Sequence, residues 1–93
     1  MQVEVVAINW NSKEILLGEC KWGTDKINRQ IARELTGEKT HLALLDLPDM
    51  GQGWKVYQAL FGRQGFTEAA QNEMQASGGL CINLQELDKV LSP

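Results

Sequence analysis

The hydrophobic pattern of residues 1–22 predicts a β-hairpin. Two segments of β-branched and aliphatic residues, 2–8 and 15–22, flank the turn-forming pair Asn11-Ser12. A two-residue turn at this pair makes Trp10 face Lys13 and sets the register of the strands. Both faces of the hairpin are apolar except at one end. Because a sheet with two apolar faces is usually covered by helices on both sides, the pattern favours an α/β layered architecture.

Helix and strand patterns alternate along the rest of the chain. Thr24 or Asp25 is expected to cap a helix that runs to about Leu35, and Gly37 is expected to end it. The buried stripe of this helix would consist of Ile27, Ile31 and Leu35, which recur every four residues. The segment 41–47 either extends the helix or forms a short apolar element, and 48–53 is a loop.

The C-terminal half predicts a strand over 54–61, a helix that Thr67 caps and that ends near Ser77, and a short strand over 80–82. Asn83 has the spacing of a capping residue for a final helix that ends near Leu91. The expected order is therefore β-β-α-β-α-β-α, in a single domain over residues 1–93.

Composition narrows the class of protein. A net charge of −3 argues against a general nucleic-acid-binding protein. No apolar run approaches the about 20 residues that span a bilayer, and the N-terminus lacks the basic region of a signal peptide. The two cysteines, Cys20 and Cys81, lack the spacing of a zinc site, and His41 is the only histidine. We therefore expect reduced thiols, a cytoplasmic location and no membrane association.

Charged side chains meet at one end of the predicted hairpin. In its register Glu4 faces Glu19 and Gln2 faces Lys21, all on one face of the sheet. Facing carboxylates have Cβ atoms about 5 Å apart and repel each other unless a positive group lies between them. A divalent cation is the simplest such group. With Lys21 on the same face, the set suits phosphodiester hydrolysis, in which a metal polarises the phosphoryl group and activates water.

The pattern alone leaves a second interpretation open. Glu-x-Lys is a common spacing, and charged residues often emerge into solvent where a strand ends. A shift of one residue in the hairpin register would also move Glu4 to the opposite face.

Two segments of the sequence, EVVAINWNSKEILLGECKWG and WKVYQALFGRQGFTEAA, carry a family resemblance. The chain resembles the C-terminal domain of archaeal-type AAA ATPases, which is related to the PD-(D/E)xK, or restriction-endonuclease-like, superfamily. Glu4 matches the acidic residue of the first strand, and Glu19 and Lys21 match the E-x-K motif. The resemblance covers nearly the whole chain, and LLGECKW is its most specific part.

The resemblance implies a restriction-endonuclease-like fold with a central mixed sheet flanked by helices. It further implies Glu4, Glu19 and Lys21 as catalytic residues, with Mg²⁺ or Mn²⁺ bound by the two carboxylates and the backbone carbonyl of Cys20. Two departures stand out: Glu4 replaces an aspartate, and Gln2 replaces a preceding glutamate. The superfamily's opening helix and first strand are also missing, so we expect a fragment or a shortened relative.

Other residues allow two interpretations each. Lys26, Arg29 and Arg33 form either a basic stripe near the carboxylates or the solvated face of a helix. Arg63 either contacts a phosphate or pairs with a surface carboxylate, and the latter is favoured. The tryptophans lie on separate elements, which favours packing over stacking on bases.

The expected function is that of a metal-dependent nuclease-like domain that acts on or binds DNA, with weak or lost activity. The alternative is a non-catalytic interaction or regulatory module associated with an AAA ATPase. Without the opening elements, residues 2–8 would form an open sheet edge with no lysine or proline to discourage pairing. We therefore also expect a homodimer in which a second copy, through sheet extension or helix packing, covers this region.

Overall fold

The computed structural model describes residues 2–21 and 23–85, and these form a four-stranded mixed sheet with helices. The strands follow the order β1-β2-β3-β4 across the sheet. Strands β1 and β2 are antiparallel, whereas β3 and β4 each run parallel to the preceding strand. This confirms the α/β class. The strands are β1 (Gln2–Asn9), β2 (Glu14–Lys21), β3 (Lys55–Gly62) and β4 (Leu80–Asn83).

The hairpin of β1 and β2 has the predicted register, with Ile8 opposite Ile15 and Glu4 opposite Glu19. Its turn is longer than predicted, because pairing ends at Asn9 and leaves residues 10–13 as the loop. The side-chain oxygen of Asn9 accepts hydrogen bonds from the backbone N–H groups of Asn11, at 3.1 Å, and Ser12, at 3.2 Å. Asparagine often closes a turn in this way, and here it does so before Trp10 can pair with Lys13.

The first helical segment begins later than predicted. Helix α1 spans Arg29–Glu34, and its cap is Asn28, whose side chain accepts from the Ile31 N–H at 3.1 Å. The prediction of Thr24 or Asp25 as cap is wrong because Ile27 is held in an extended bridge to Phe66. The Ile27 N–H donates to the Gly65 carbonyl at 3.0 Å, and its carbonyl accepts from the Thr67 N–H at 2.9 Å.

The helix also continues past Gly37, so the predicted end at this residue is wrong. A π-helical turn over Leu35–Lys39 leads directly into helix α2, Thr40–Leu45. The Thr40 hydroxyl donates to the Leu35 carbonyl at 2.6 Å and accepts from the Gln58 side chain of β3 at 2.8 Å. These tertiary contacts, together with burial of Leu35, outweigh the about 1 kcal/mol that a glycine costs inside a helix.

The second half follows the predicted order. A 3₁₀ turn over Pro48–Gly51 leads to β3, and helix α3 spans Glu68–Ala76. Thr67 caps α3 as predicted, since its hydroxyl accepts from the Ala70 N–H at 3.1 Å. The Asn83 side chain accepts from the Gln85 N–H at 2.8 Å, but most of the predicted final helix lies outside the described residues, as does Trp22.

The buried core lies on one face of the sheet, which we call the inner face and which carries Ile15, Leu17, Glu19 and Leu60. Side chains of the helical segments pack against this face, including the fully buried Leu35 and Met74. On the opposite face Cys20 and Ala59 are buried but Tyr57 and Leu80 are exposed, so the described part of the chain covers this face only in part. None of the described helices is long and apolar enough to cross a membrane.

Candidate functional site

The predicted carboxylate pair is present on the inner face, and a lysine lies between its members. Glu4 of β1 faces Glu19 of β2 in the sheet register. The Lys39 ammonium, at the end of the π-helical turn, donates a hydrogen bond to Glu19 Oε1. The same Nζ lies 3.3 Å from Glu4 Oε1. The positive group that the facing carboxylates require is therefore a side chain of this protein.

Burial of this Glu4–Lys39–Glu19 cluster is graded from one end to the other. Glu19 is 1% exposed and is the only buried charged residue in the described part of the chain. The Lys39 side chain is 32% exposed, and that of Glu4 is 66% exposed. The ammonium therefore connects a carboxylate in the core to a carboxylate in solvent. A charge held in the core must be compensated, which explains why Lys39 contacts Glu19 directly.

Lys39 keeps its charge in this position. Partial burial lowers its pKa, because desolvation disfavours an ammonium. The hydrogen bonds to Glu19 and Glu4 act in the opposite direction and outweigh the burial, so the pKa of Lys39 is raised above its ordinary value of 10.5. The cluster thus contains a permanent cation at neutral pH.

The π-helical turn places Lys39 above β2. Leu35, at the start of this turn, is buried in the core, and Thr40, at the start of α2, is tied to Gln58 of β3. Between these two fixed points Lys39 projects towards the sheet. Single π-helical turns inside α-helices occur frequently at functional sites. The turn at Leu35–Lys39 therefore indicates that this segment belongs to the candidate site.

Lys21, the third predicted catalytic residue, lies outside the cluster. It shares the inner face with Glu19 and pairs with Gln2 and Gly62 in the sheet. It forms no salt bridge with the residues that the structure describes. Cys20, between Glu19 and Lys21, directs its side chain to the opposite face, and burial raises the pKa of its thiol. Only its backbone carbonyl remains a candidate ligand.

A cleft of about 250 Å³ opens beside the cluster, between β1 and the helical segment above it. Its polar end is formed by Glu4, Glu19 and Lys39, and Asp46 adds a further carboxylate. Val6 and Leu42 are among its apolar residues. Within residues 2–21 and 23–85, however, no group of three or more histidine, cysteine or acidic side chains could hold a metal. With the ammonium between its two carboxylates, the set does not fit a divalent cation.

The structure shows the surroundings of Arg29 and Arg33, for which a basic stripe and a solvated helix face were the two interpretations. Arg29 and Arg33 both pair with Glu73 of α3, with Nε–Oε1 distances of 2.8 Å and 3.2 Å. The hydrogen bond from Arg29, helped by Arg33, lowers the pKa of Glu73. Lys26 precedes the helix because Asn28 is the cap. These arginines join α1 to α3, and their side chains are 53% and 59% exposed, which agrees with the solvated face of a helix.

Two further predictions concern Arg63 and the tryptophans. Arg63 follows β3 and is exposed, without a salt bridge to a described residue, so its role stays a prediction. Trp10 and Trp54 pack edge to face, with ring centroids 5.3 Å apart and planes at 89°. This confirms packing for these two tryptophans.

The sequence analysis missed Lys39, although the sequence contains a signal for it. The predicted apolar stripe of Ile27, Ile31 and Leu35 reaches Lys39 when it is extended by four residues. A lysine at a buried position requires an acidic partner, and Glu19 was already a candidate.

Comparison with known proteins found no match, so the function is inferred from the geometry of the site. No protein-family model matches the chain, and no curated protein or solved structure matches it.

Proposed function

We propose that this protein is a non-catalytic interaction module with a nuclease-like arrangement of strands, in which Lys39 replaces the catalytic cation. The observation that carries the proposal is the position of the Lys39 ammonium, which contacts both Glu4 and Glu19. The cluster thereby neutralises its own repulsion without a metal. The resemblance implies an AAA ATPase module as the partner of such a domain.

Displacing Lys39 would be costly. The hydrogen bond from its ammonium to Glu19 joins two charged groups, and such bonds are about twice as strong as those between neutral groups. A divalent cation must break this bond before it can use the buried oxygens of Glu19. The cation would also lose much of its water, which Mg²⁺ gives up reluctantly.

The surface also favours a protein partner over DNA. Arg29 and Arg33 share an ion pair with Glu73, which compensates one of their two charges, and the chain has a net charge of −3. DNA binding depends mainly on cationic groups that contact phosphates. Large apolar side chains are instead exposed on β1 and α2, among them Val6 and Leu42. Exposed apolar surface of this kind is typical of protein–protein contacts.

Titration with Mn²⁺ tests this proposal. The unmodified protein is expected to show no binding by calorimetry. Lys39→Ala should acquire one weak site, because it leaves two facing carboxylates without the ammonium. At a hundredfold excess over its dissociation constant, Mn²⁺ would then stabilise the variant by about 2.7 kcal/mol.

The control is Lys55→Ala, which removes an exposed lysine from β3 and should not create a site. Binding of Mn²⁺ to the unmodified protein, with loss of that binding in Glu19→Gln, would contradict the proposal.

The second candidate is the metal-dependent nuclease that the resemblance implies. It is favoured by the register of the hairpin, which puts Glu4 opposite Glu19 and leaves Lys21 on the same face. Incubation of plasmid DNA with the protein and Mn²⁺ separates the two functions. We expect no cleavage. Cleavage by the unmodified protein that Lys21→Ala abolishes would establish the nuclease in place of the interaction module.

A further inference from the structure

We infer that two copies of this chain associate through the outer edge of β1, about a two-fold axis, and so form a continuous eight-stranded sheet. This inference rests on the proposed function, since it names the first partner of the interaction module as a second copy of the same chain. Three observations carry it: the open edge, the apolar side chains beside it, and the charge pattern along β1.

Strand β1 is the first strand in the sheet order and pairs only with β2 in the described part of the chain. Its eight residues pair without interruption from Gln2 with Lys21 to Asn9 with Glu14, so it contains no bulge. It also contains no proline and no lysine. Bulges, prolines, lysines, short length and inward-pointing charged residues are features that normally protect an edge strand from pairing with another chain. β1 has one of them, the charge of Glu4 on the inner face, and an ion pair with Lys39 of the same copy compensates this charge.

The side chains next to this edge are apolar and exposed. Val6 is 58% exposed, and Ile8 follows it on the same face of the strand. Above them, Leu42 and Leu45 of α2 are also exposed, and Leu42 lines the same cleft as Val6. Covering these side chains would stabilise an assembly by about 25 cal/mol for each Å² of apolar surface removed from water.

The charge pattern of β1 fits antiparallel pairing with a second copy. Pairing centred on Val6 places Val6 of one copy opposite Val6 of the other. Glu4 then lies opposite Ile8, so the only charged residues of the two strands do not face each other. Glu4 is in addition held towards Lys39 of its own copy. The two-fold axis puts α2 of both copies on the same side of the sheet, and Leu42, which lines the cleft beside Val6, then lies near the axis in each copy.

A symmetric dimer is also the arrangement that leaves least of β1 open. Pairing of β1 with β4 of another copy would be head to tail and would generate an open-ended chain of copies. Since β4 has four residues, it would leave half of β1 without a partner. The two-fold pairing uses residues 3–9 of β1 and closes after two copies.

Light scattering coupled to size exclusion tests this inference at micromolar concentration. The unmodified chain is expected to have twice the mass of its 10.4 kDa protomer. Val6→Lys should shift it to the protomer mass, because the substitution puts two ammonium groups opposite each other at the axis. Like charges that face each other across an interface cost several kcal/mol, which corresponds to at least about a 100-fold weaker dimer.

The matched control is Leu80→Lys, an exposed position on β4 with 62% exposure, which should leave the mass unchanged. Circular dichroism verifies that each variant is folded. If Val6→Lys fails to fold, Ile8→Glu tests the same edge, because it places a carboxylate opposite Glu4 of the other copy. A protomer mass for the unmodified chain, or dissociation by Leu80→Lys alone, would overturn the inference. If the unmodified chain has the protomer mass and binds no Mn²⁺, the dimer is overturned and the proposed function is supported. If it has the dimer mass and binds Mn²⁺, the dimer is supported and the proposed function is overturned.

Discussion

Replacement of Lys39 by methionine is expected to lower the free energy of unfolding by about 3 kcal/mol, the lower end of the range for breaking a buried ion pair. Methionine preserves most of the side-chain volume, so the loss reports on charge. Without the ammonium, Glu19, at 1% exposure, and Glu4 face each other as like charges. The partial exposure of Lys39, at 32%, is the reason for choosing the lower end. Urea denaturation at pH 7 measures the change.

A double-mutant cycle assigns this loss to the ion pair. Glu19→Gln removes the buried charge, so Lys39→Met should cost much less in a Glu19→Gln background than in the unmodified protein. Lys55→Met, at an exposed position, should change stability by less than about 0.5 kcal/mol. If Lys39→Met is as neutral as Lys55→Met, the cluster contributes nothing to stability.

The stability difference between the unmodified protein and Lys39→Met is expected to depend on pH in a defined direction. The pKa of Lys39 is raised in the folded state, because the hydrogen bonds to Glu19 and Glu4 outweigh the opposing effect of burial. A raised pKa means that the contribution is fully present below the unfolded value, near 10.5, and is lost as the pH rises through the folded value. The stability difference between the unmodified protein and Lys39→Met should therefore stay constant from pH 7 to 10 and shrink at higher pH.

The parts of the fold that were predictable depend on local patterns. The register of the hairpin follows from alternating side chains and from turn-forming residues at 11 and 12, and it is confirmed. The cap of α3 at Thr67 and the short strand β4 have equally local signals. The start of α1 has no such local signal, because Ile27 is held in an extended conformation by backbone hydrogen bonds to Gly65 and Thr67. Those partners are far away in sequence, so helix propensity around residue 25 could not reveal them.

The candidate site also has a part that was predictable from local sequence patterns and a part that was not. Glu4 and Glu19 were predictable because a hairpin register relates residues that are close in sequence. Lys39 approaches them only because the helix passes through Gly37 with a π-helical turn, and this depends on the anchoring of Thr40 by Gln58 of β3. A prediction limited to β1 and β2 assigned the missing positive charge to a metal. The tertiary structure supplies it from the helix instead.

Truncation of Leu60 to alanine should lower the free energy of unfolding by about 3–4 kcal/mol. Leu60 of β3 is fully buried, lies beside Glu19 in the sheet register and belongs to the core shared with the helical segments. Truncating a buried leucine to alanine costs about 2–5 kcal/mol. The protein loses the free energy gained by burying those apolar atoms, and the cavity that remains is unfavourable. The alternation of side chains does not let another residue of β3 fill the space.

Leu80→Ala is the matched control, since it removes the same atoms from an exposed position of the neighbouring strand β4. Its cost should stay below about 0.5 kcal/mol. Both values come from urea denaturation followed by circular dichroism. The double variant Leu60→Ala, Lys39→Met should lose less stability than the sum of the two single losses. Leu60 is paired with Glu19 in the sheet, and neighbouring sites are energetically coupled. Equal losses for Leu60→Ala and Leu80→Ala would contradict a core confined to the inner face.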